Sequence, residues 1–522
     1  MRDLLCSYYT NSKEISSYMV AKLDIIENDI ILEPSAGEGI FIDEVLETNT
    51  TVRIDALDIN RDAIAVLKKK YENNAAVVVR ETDTLLDEQL DSYSLSQLWL
   101  RQTDTLFDKQ LELFGELGGH YSKVIGNPPY GAWQDYEKRD LLKKKFAGHY
   151  VKETYSLFLL RCISVLKLHG RLSFIIPDTY LFLNMYSRLR EVLFSNTKID
   201  EILIFPSKFF PGVSFSYSKL SIITLERCEN NEAVDNVFRV VQGFGSPREF
   251  ALLLENNSML PEHLQVFHFK QKELLDSEQC KIILAEKKTV SLLSKHSVKL
   301  GDVAEVVTGF YTGDNLRFIR AASKDVKGAK KYEVVEQKKV FRCTSLYGIP
   351  DVQEGYVPYI KSASARRYIR QKDEWFVRWD KKTVEFYNNN KKSRFQNSSF
   401  YFRTGIGIPM VKSSTVRAFL MENHVFDQSI VGIFPKDTAK LYYLLALMNS
   451  EIINNMIHVI NPSANNSANY IKQLPYIEPD VEVLIRVNYM VRELISLEEA
   501  EDYDKADDLH HELNAIIGQI YF

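Results

Sequence analysis

The residues with the clearest chemical capacity lie in Lys123-Val124-Ile125-Gly126-Asn127-Pro128-Pro129-Tyr130. The first four read as a short buried strand, and two successive prolines then exclude both helix and further sheet pairing. The chain must turn outward at the strand's carboxyl end, where open α/β sheets place their ligand crevices. It presents there the Asn127 amide, the Tyr130 ring, and a Pro128 carbonyl with no amide donor at Pro129 to compete for it. Such groups can hold a flat base carrying an exocyclic amine, with two acceptors for its N–H bonds and a ring to stack on. That amine is a poor nucleophile because its lone pair is delocalised into the ring. Two acceptors polarise the N–H bonds, favour pyramidal nitrogen, and free the lone pair for an in-line electrophile. No strong base is needed first, since the proton becomes acidic only after transfer; Asn suits position 127, although Asp would also serve. Taken alone, the tetrapeptide fits a proline-rich turn equally well.

The elements before it shift that balance. Asp29-Ile30-Ile31-Leu32 reads as a strand, followed by Glu33-Pro34-Ser35-Ala36-Gly37-Glu38-Gly39 and a helix opening at Ile40. Small residues and two glycines there let backbone approach a ligand closely. The loop has no lysine, which disfavours a phosphate cradle, and Glu33 at the strand tip would repel a pyrophosphate but suit a cation. A second strand over 52–57 ends at Asp58, 19 residues beyond Gly39, the spacing used to grip ribose hydroxyls. A third, over 76–80, leads to Asp83, an acid that could take a nucleoside's adenine amine. Residues 82–90 (TDTLLDEQL) recur as 103–111 (TDTLFDKQL), so Asp104 competes with Asp83. Asp83 is preferred because it directly follows a β-branched strand, and residues 84–122 then read as a helical insertion. Near the N-terminus, Thr10, Asn11 and Ser12 are candidate caps of a helix, with Glu14 completing a capping box.

After the proline turn, an amphipathic helix is expected from Glu153 to Lys167, stopped by Gly170. Strands follow over 172–177, 199–205 and 220–225, with Phe209 and Phe210 in the loop between the last two. Strands alternating with helices to residue 228 imply an α/β, doubly wound, mostly parallel sheet.

Composition sets outer limits. The 522 residues suggest about two to four domains, and 45% hydrophobic with 26% charged residues is ordinary for a globular enzyme. A net charge of −5 does not advertise a nucleic-acid binder, so such binding would need local patches. The five cysteines lie far apart without metal-ligand spacing, so no metal is expected and a reducing cytoplasm is. No signal peptide is apparent, and no apolar run nears the roughly 18 residues of a membrane span. A cytoplasmic protein without membrane attachment is expected.

The YYTNSKE start, EPSAGEG, Asp58, Asp83, NPPY, the YSLF helix and the FFPGV loop, in that order, resemble the gamma-class adenine-N6 DNA methyltransferases of bacterial restriction–modification systems. The resemblance implies the S-adenosylmethionine-dependent methyltransferase fold, with S-adenosyl-L-methionine as cofactor. It implies that Thr10, Glu33, Ala36, Gly37 and Gly39 line the cofactor's methionine end, with Asp58 on the ribose and Asp83 on the adenine amine. Phe158 would pack on the cofactor's adenine, and Pro129 joins this cofactor-binding group. Asn127 and the Pro128 carbonyl would accept from the target amine, Tyr130 would stack on the target base, and Phe210, chosen over Phe209, would cover it from another side. A hydrophobic anchor is the other reading of both phenylalanines. The implied substrate is double-stranded DNA with its base flipped out. RNA or protein-glutamine methylation, and cytosine-N4 methylation of DNA, are the alternatives. A monomer is expected, with a cognate restriction endonuclease as a candidate partner.

The second half opens at 300 with LGDVAEVVTGFYTGDN, which resembles the target-recognition domains of the same group, after a connecting region at 229–299. Between 361 and 394, eleven basic residues face four acids with aromatics interleaved. Arg366, Arg367, Arg370, Lys372, Arg378, Lys391, Lys392 and Arg394 are the candidate DNA contacts. The domain would be α+β and span 300–478. Residues 479–522 read as a C-terminal pair of helices, with His510 and His511 exposed on the second.

Overall fold

In a computed structural model, the structure describes residues 12–48, 50–93, 119–131, 136–210, 219–255, 260–285, 292, 298–362, 364–370, 372–410, 416–460 and 467–521. The chain divides into two compact units, residues 1–282 and 283–522.

The first unit is built on nine strands: β1 (Ile30–Glu33), β2 (Arg53–Asp58), β3 (Val77–Glu81), β4 (Tyr121–Gly126), β5 (Leu166–Pro177), β6 (Thr197–Pro206), β7 (Lys219–Arg227), β8 (Val237–Gln242) and β9 (Gln265–Lys270). Their order across the sheet is β3-β2-β1-β4-β5-β7-β6-β8-β9. β7 runs antiparallel to β5 and β6, and β9 antiparallel to β8; the remaining pairings are parallel. The order reverses between β1 and β4, the switch point where such sheets open a crevice beyond the strand ends. This is the fold of S-adenosylmethionine-dependent methyltransferases, with the mostly parallel sheet expected.

The strand tips are held where that crevice forms. Gly39 has φ +80°, and a Cβ there would stand 2.7 Å from the Tyr71 hydroxyl, so the turn into the helix Ile40–Glu47 requires glycine. The first helix, Lys13–Ala21, is capped by the Ser12 hydroxyl, which accepts from the Ile15 N–H at 3.4 Å. The other candidate caps, Thr10 and Asn11, lie outside the described residues. So does residue 94–118 of the expected insertion, with Asp104; its described start forms a short helix, Glu88–Ser92, capped by Asp87.

Two boundaries differ from expectation. The helix Thr154–Val165 passes directly into β5, because Leu166 already pairs with Tyr121 across a register shift. The region expected to be a connection is largely part of the first unit: β8 pairs with β6 and extends its sheet, β9 follows, and the unit ends at 282.

The second unit holds two four-stranded sheets. One, all antiparallel, orders Ala304–Thr308, Ile430–Pro435, Gly405–Pro409 and Phe419–Met421; the other orders Ile319–Ala321, Trp375–Arg378, Tyr356–Ile360 and Val425–Phe426. The C-terminal helices, Val481–Glu499 and Tyr503–Tyr521, share one core with the first of these sheets: Val487, Val491, Leu494, Leu513 and Ile517 cluster with Val306, Ile406 and Ile433. His510 is buried rather than exposed, 2.7 Å from the Tyr368 hydroxyl, and burial pushes its imidazole down to about 4. Among the described residues no helix is long and apolar enough to cross a membrane.

Candidate active site

The carboxyl ends of β1, β2, β3 and β4 are tied to one another by side chains in their loops. Ala36 N–H donates to the Leu57 carbonyl at 2.8 Å, and Gly37 N–H to Asp58 Oδ2 at 2.8 Å. Asp58 Oδ1 takes the Asn60 N–H at 2.8 Å, which fixes the carboxylate and leaves its remaining lone pairs for a ligand. From β3, the Thr84 hydroxyl donates to the Pro34 carbonyl at 2.6 Å. From β1's loop, the Ser35 hydroxyl donates to the Asn127 carbonyl at 3.2 Å. The glycine loop and the proline turn therefore stand side by side at the carboxyl ends of two adjacent interior strands.

Glu33 is 1% exposed, and its Oε2 has no hydrogen-bond partner among the described residues. Burial first, then the carboxylates of Asp58 and Asp43, hold its carboxyl well above the usual range, with Lys70 opposing. A buried, unsatisfied acid is costly alone and is relieved by a cation with N–H donors. The ammonium of S-adenosylmethionine fits that need, and Asp58 fits vicinal hydroxyls. Asp83 follows β3, accepts from the Leu85 N–H at 3.1 Å, and is paired with Lys138 at 2.5 Å. Phe158 is buried on the second turn of the helix Thr154–Val165. The first residue of that helix, Thr154, donates its hydroxyl to the Pro129 carbonyl at 2.5 Å, pinning the proline turn. Thr10 lies outside the described residues.

Asn127 and Pro129 are half-buried, Pro128 buried. The Tyr130 hydroxyl reaches Asn127 Oδ1 and lies 3.2 Å from the Ile175 carbonyl. At 2% exposure the Tyr130 ring has no open face. In this form it braces Asn127, whereas the sequence led us to expect a surface for stacking. Phe210 differs in the same direction. It is 3% exposed and, with Phe209, packs near-parallel on Phe205, at 6.3 and 5.8 Å respectively, and Phe250 closes the cluster. That is an anchor's environment, so packing rather than base contact explains the pair. The rest of the FFPGV loop, from 211, lies outside the described residues.

Sequence reasoning missed the ties themselves. Ser35 and Thr84 were visible only as small polar loop residues, and Thr154 only as a helix-start threonine. It also missed Asp178, at the carboxyl end of β5, whose carboxyl burial pushes up to about 7, with Lys219 opposing.

The basic segment of the second unit does not form one surface. Arg366 forks onto buried Glu498 at 2.7 and 2.8 Å, also reaches Asp507, and stacks over Tyr503. Arg370 donates to the Ser362 carbonyl at 3.0 Å, and its burial lowers its pKa. Arg378 binds Asp380 at 2.6 Å and the Gln353 carbonyl at 2.8 Å. Arg367 is half-buried with its Nε enclosed. Arg366, Arg370 and Arg378 thus hold the fold. Lys372, Lys391, Lys392 and Arg394 are exposed, while Tyr368, Trp375, Phe376, Trp379 and Tyr387 are core.

The strand order and the loops at the strand tips are those of the S-adenosylmethionine-dependent methyltransferase fold. Within that class, residues 15–210 match the family described as Eco57I restriction-modification methylase. Type II methyltransferase M.HincII of Haemophilus influenzae is 26% identical over 211 residues, 39% of this chain and 34% of that protein. Adenine-specific methyltransferase BrxX of Escherichia coli O9:H4 (strain HS) is 22% identical over 372 residues, 69% of this chain and 28% of that protein. The chain thus spans about a third of the length of these curated relatives. The same fold recurs in a nuclease-deletion mutant of the Type ISP restriction-modification enzyme LlaGI in complex with a DNA substrate mimic. That likeness covers 94% of this chain and 55% of the other at 14% identity, with a TM-score of 0.54.

Proposed function

We propose that the chain is a site-specific DNA methyltransferase that modifies N6 of an adenine flipped out of duplex DNA, as the modification activity of a restriction–modification system. The observation that carries this reading is the Ser35–Asn127 hydrogen bond, which sets the acceptor amide of β4 beside the loop suited to the cofactor. Glu33 takes the cofactor's ammonium, Asp58 its ribose, Asp83 its adenine amine, with Phe158 against the ring. Bound there, S-adenosylmethionine supplies an electrophilic methyl group. Asn127 Oδ1 and the Pro128 carbonyl accept the target's two N–H bonds, and the Tyr130 hydroxyl yields its place on Asn127 to that amine. Polarised in this way, the nitrogen exposes its lone pair, and fixed approach supplies much of the acceleration. A duplex base reaches the site only by leaving the stack, at a cost of a few kcal/mol. Adenine is favoured over cytosine because the order of motifs follows the adenine-modifying group and the name of the relative BrxX assigns that base to that protein. A DNA substrate places its work in the cytoplasm, with a cognate endonuclease as candidate partner.

The test incubates the full chain and isotopically labelled S-adenosylmethionine with unmethylated duplex DNA or with total RNA, followed by mass analysis of nucleosides. Labelled N6-methyladenine from the duplex alone is expected. N4-methylcytosine, or label confined to RNA, would contradict the proposal.

A further inference from the structure

The second unit contains an arginine that the fold leaves unused. Arg317 lies on the short helix Asn315–Phe318, with its guanidinium carbon 4.7 Å from the Phe318 ring centre and 5.2 Å from that of Phe386. Its backbone N–H serves the helix cap on Asp314 at 3.2 Å. Its guanidinium makes no hydrogen bond or ion pair among the described residues, in contrast to Arg320, which pairs with Glu333, and to Arg366 and Arg378. Two aromatic contacts hold a planar cation while leaving its edge donors free.

The side chain borders a cavity of about 480 Å³, also lined by Tyr311, Asn315, Phe386, Asn390 and Lys392. Both amides there have their oxygens engaged. Asn315 Oδ1 accepts from the Thr312 hydroxyl at 2.8 Å, and Asn390 Oδ1 from the Lys392 N–H at 2.8 Å. Each amide keeps its N–H donors to offer a ligand, as Arg317 does. Asp314 also lines the cavity, with its Oδ1 taken by the Arg317 backbone N–H. The donors of Arg317, Asn315, Asn390 and Lys392 outnumber this carboxylate, and such a cleft favours a ligand edge that carries acceptors. The exposed cations Lys391, Lys392 and Arg394 adjoin it, because the Arg394 N–H donates to the Tyr311 carbonyl at 2.9 Å and the Ser393 hydroxyl to the Thr312 carbonyl at 2.8 Å.

We infer that Arg317 is a specificity-determining residue that reads the O6 and N7 edge of a guanine in the recognition sequence, with the neighbouring cations on phosphates. The inference rests on the proposal that duplex DNA is the substrate. Guanine's major-groove edge carries two adjacent acceptors that match a guanidinium fork, whereas a phosphate can also be held by a lysine's point charge. A fork resting against two adjacent rings has already lost part of the freedom that base reading requires it to lose.

The experiment selects bound duplexes from a randomised library with the full chain and a non-reactive S-adenosylmethionine analogue. It compares the unaltered protein with Arg317→Ala and Arg317→Lys, and reads binding independently of methyl transfer. The unaltered chain is expected to enrich a motif containing guanine. Both variants are expected to lose discrimination at one guanine by about ten- to a hundred-fold while keeping the other positions. Three results overturn the inference: an unchanged motif in both variants; uniform loss with alanine that lysine restores, which marks a phosphate contact; or no motif from the unaltered chain. Methylation of duplex DNA alongside an unchanged motif would sink the role of Arg317 and leave the proposed function standing.

Discussion

The strand-tip rim of the first unit and the basic segment of the second were both picked out by residue type, and the fold treats them differently. At the rim, the loop residues follow strands of one parallel set, so linear order becomes spatial adjacency. Ser35, Thr84 and Thr154 then stitch the loops together. In the basic segment, charge was counted without knowing where each side chain points. Arg366, Arg370 and Arg378 turned inward to satisfy carboxylates and carbonyls, while Lys372 and the cations at 391, 392 and 394 stayed outside. A motif tied to a strand end carries position; a tally of charge does not.

The contrast can be broken or sharpened by substitution. The largest effect is expected for Asn127→Ala, which should slow methyl transfer on the order of 10³-fold with cofactor affinity changed less than about twofold. Single-turnover methylation and equilibrium cofactor binding measure the two separately. Equal losses in both would move Asn127 to the cofactor side of the site.

Glu33→Gln should weaken cofactor binding about 10- to 100-fold, the scale of a charge-assisted hydrogen bond. It should also stabilise the empty protein at neutral pH. The carboxyl's folded value lies above its unfolded one, so the folded state keeps a proton that the unfolded chain gives up. Stability therefore falls as pH rises from the ordinary carboxylate range towards that raised value. The glutamine variant lacks this loss, so its melting advantage should widen with pH over that window. Parallel melting curves at every pH would show that Glu33 is not buried as an acid.

Arg366→Ala should cost about 2 kcal/mol of stability, since it strands the carboxylate of Glu498, which is 3% exposed. Arg366 is itself partly exposed, which trims the penalty. The salt dependence of DNA binding should not change. The smallest effects are expected from Lys391→Ala, Lys392→Ala and Arg394→Ala. Each should leave melting unaltered and make the plot of log affinity against log salt shallower by about one. A reversal, with Arg366 moving the slope and the flanking cations moving stability, would undo the division between the two sets.

Legibility in the sequence followed the same line. The seven strands expected up to residue 228 are present near their expected places, because alternating apolar runs and proline or glycine stops are local signals. β8 and β9 escaped notice because their exposed edge positions dilute the pattern: Val237, Gln265 and Val266 face solvent. Tyr130 and Phe210 were read as open aromatic faces. Residue type cannot distinguish a ring that receives a base from one that fills the wall behind it, and both are buried. His510 was misplaced for a related reason: a histidine on an amphipathic helix gives no hint that Tyr368 waits for it across the core.

The most direct test is a structure of the full chain with a non-reactive S-adenosylmethionine analogue and a duplex carrying its recognition sequence. The expected result is an extrahelical adenine whose N6 lies about 3 Å from both Asn127 Oδ1 and the Pro128 carbonyl. The Tyr130 hydroxyl should have left Asn127, and the analogue's ammonium should rest on Glu33. A target base held elsewhere, or an analogue bound away from the Gly37 loop, would contradict the shared site.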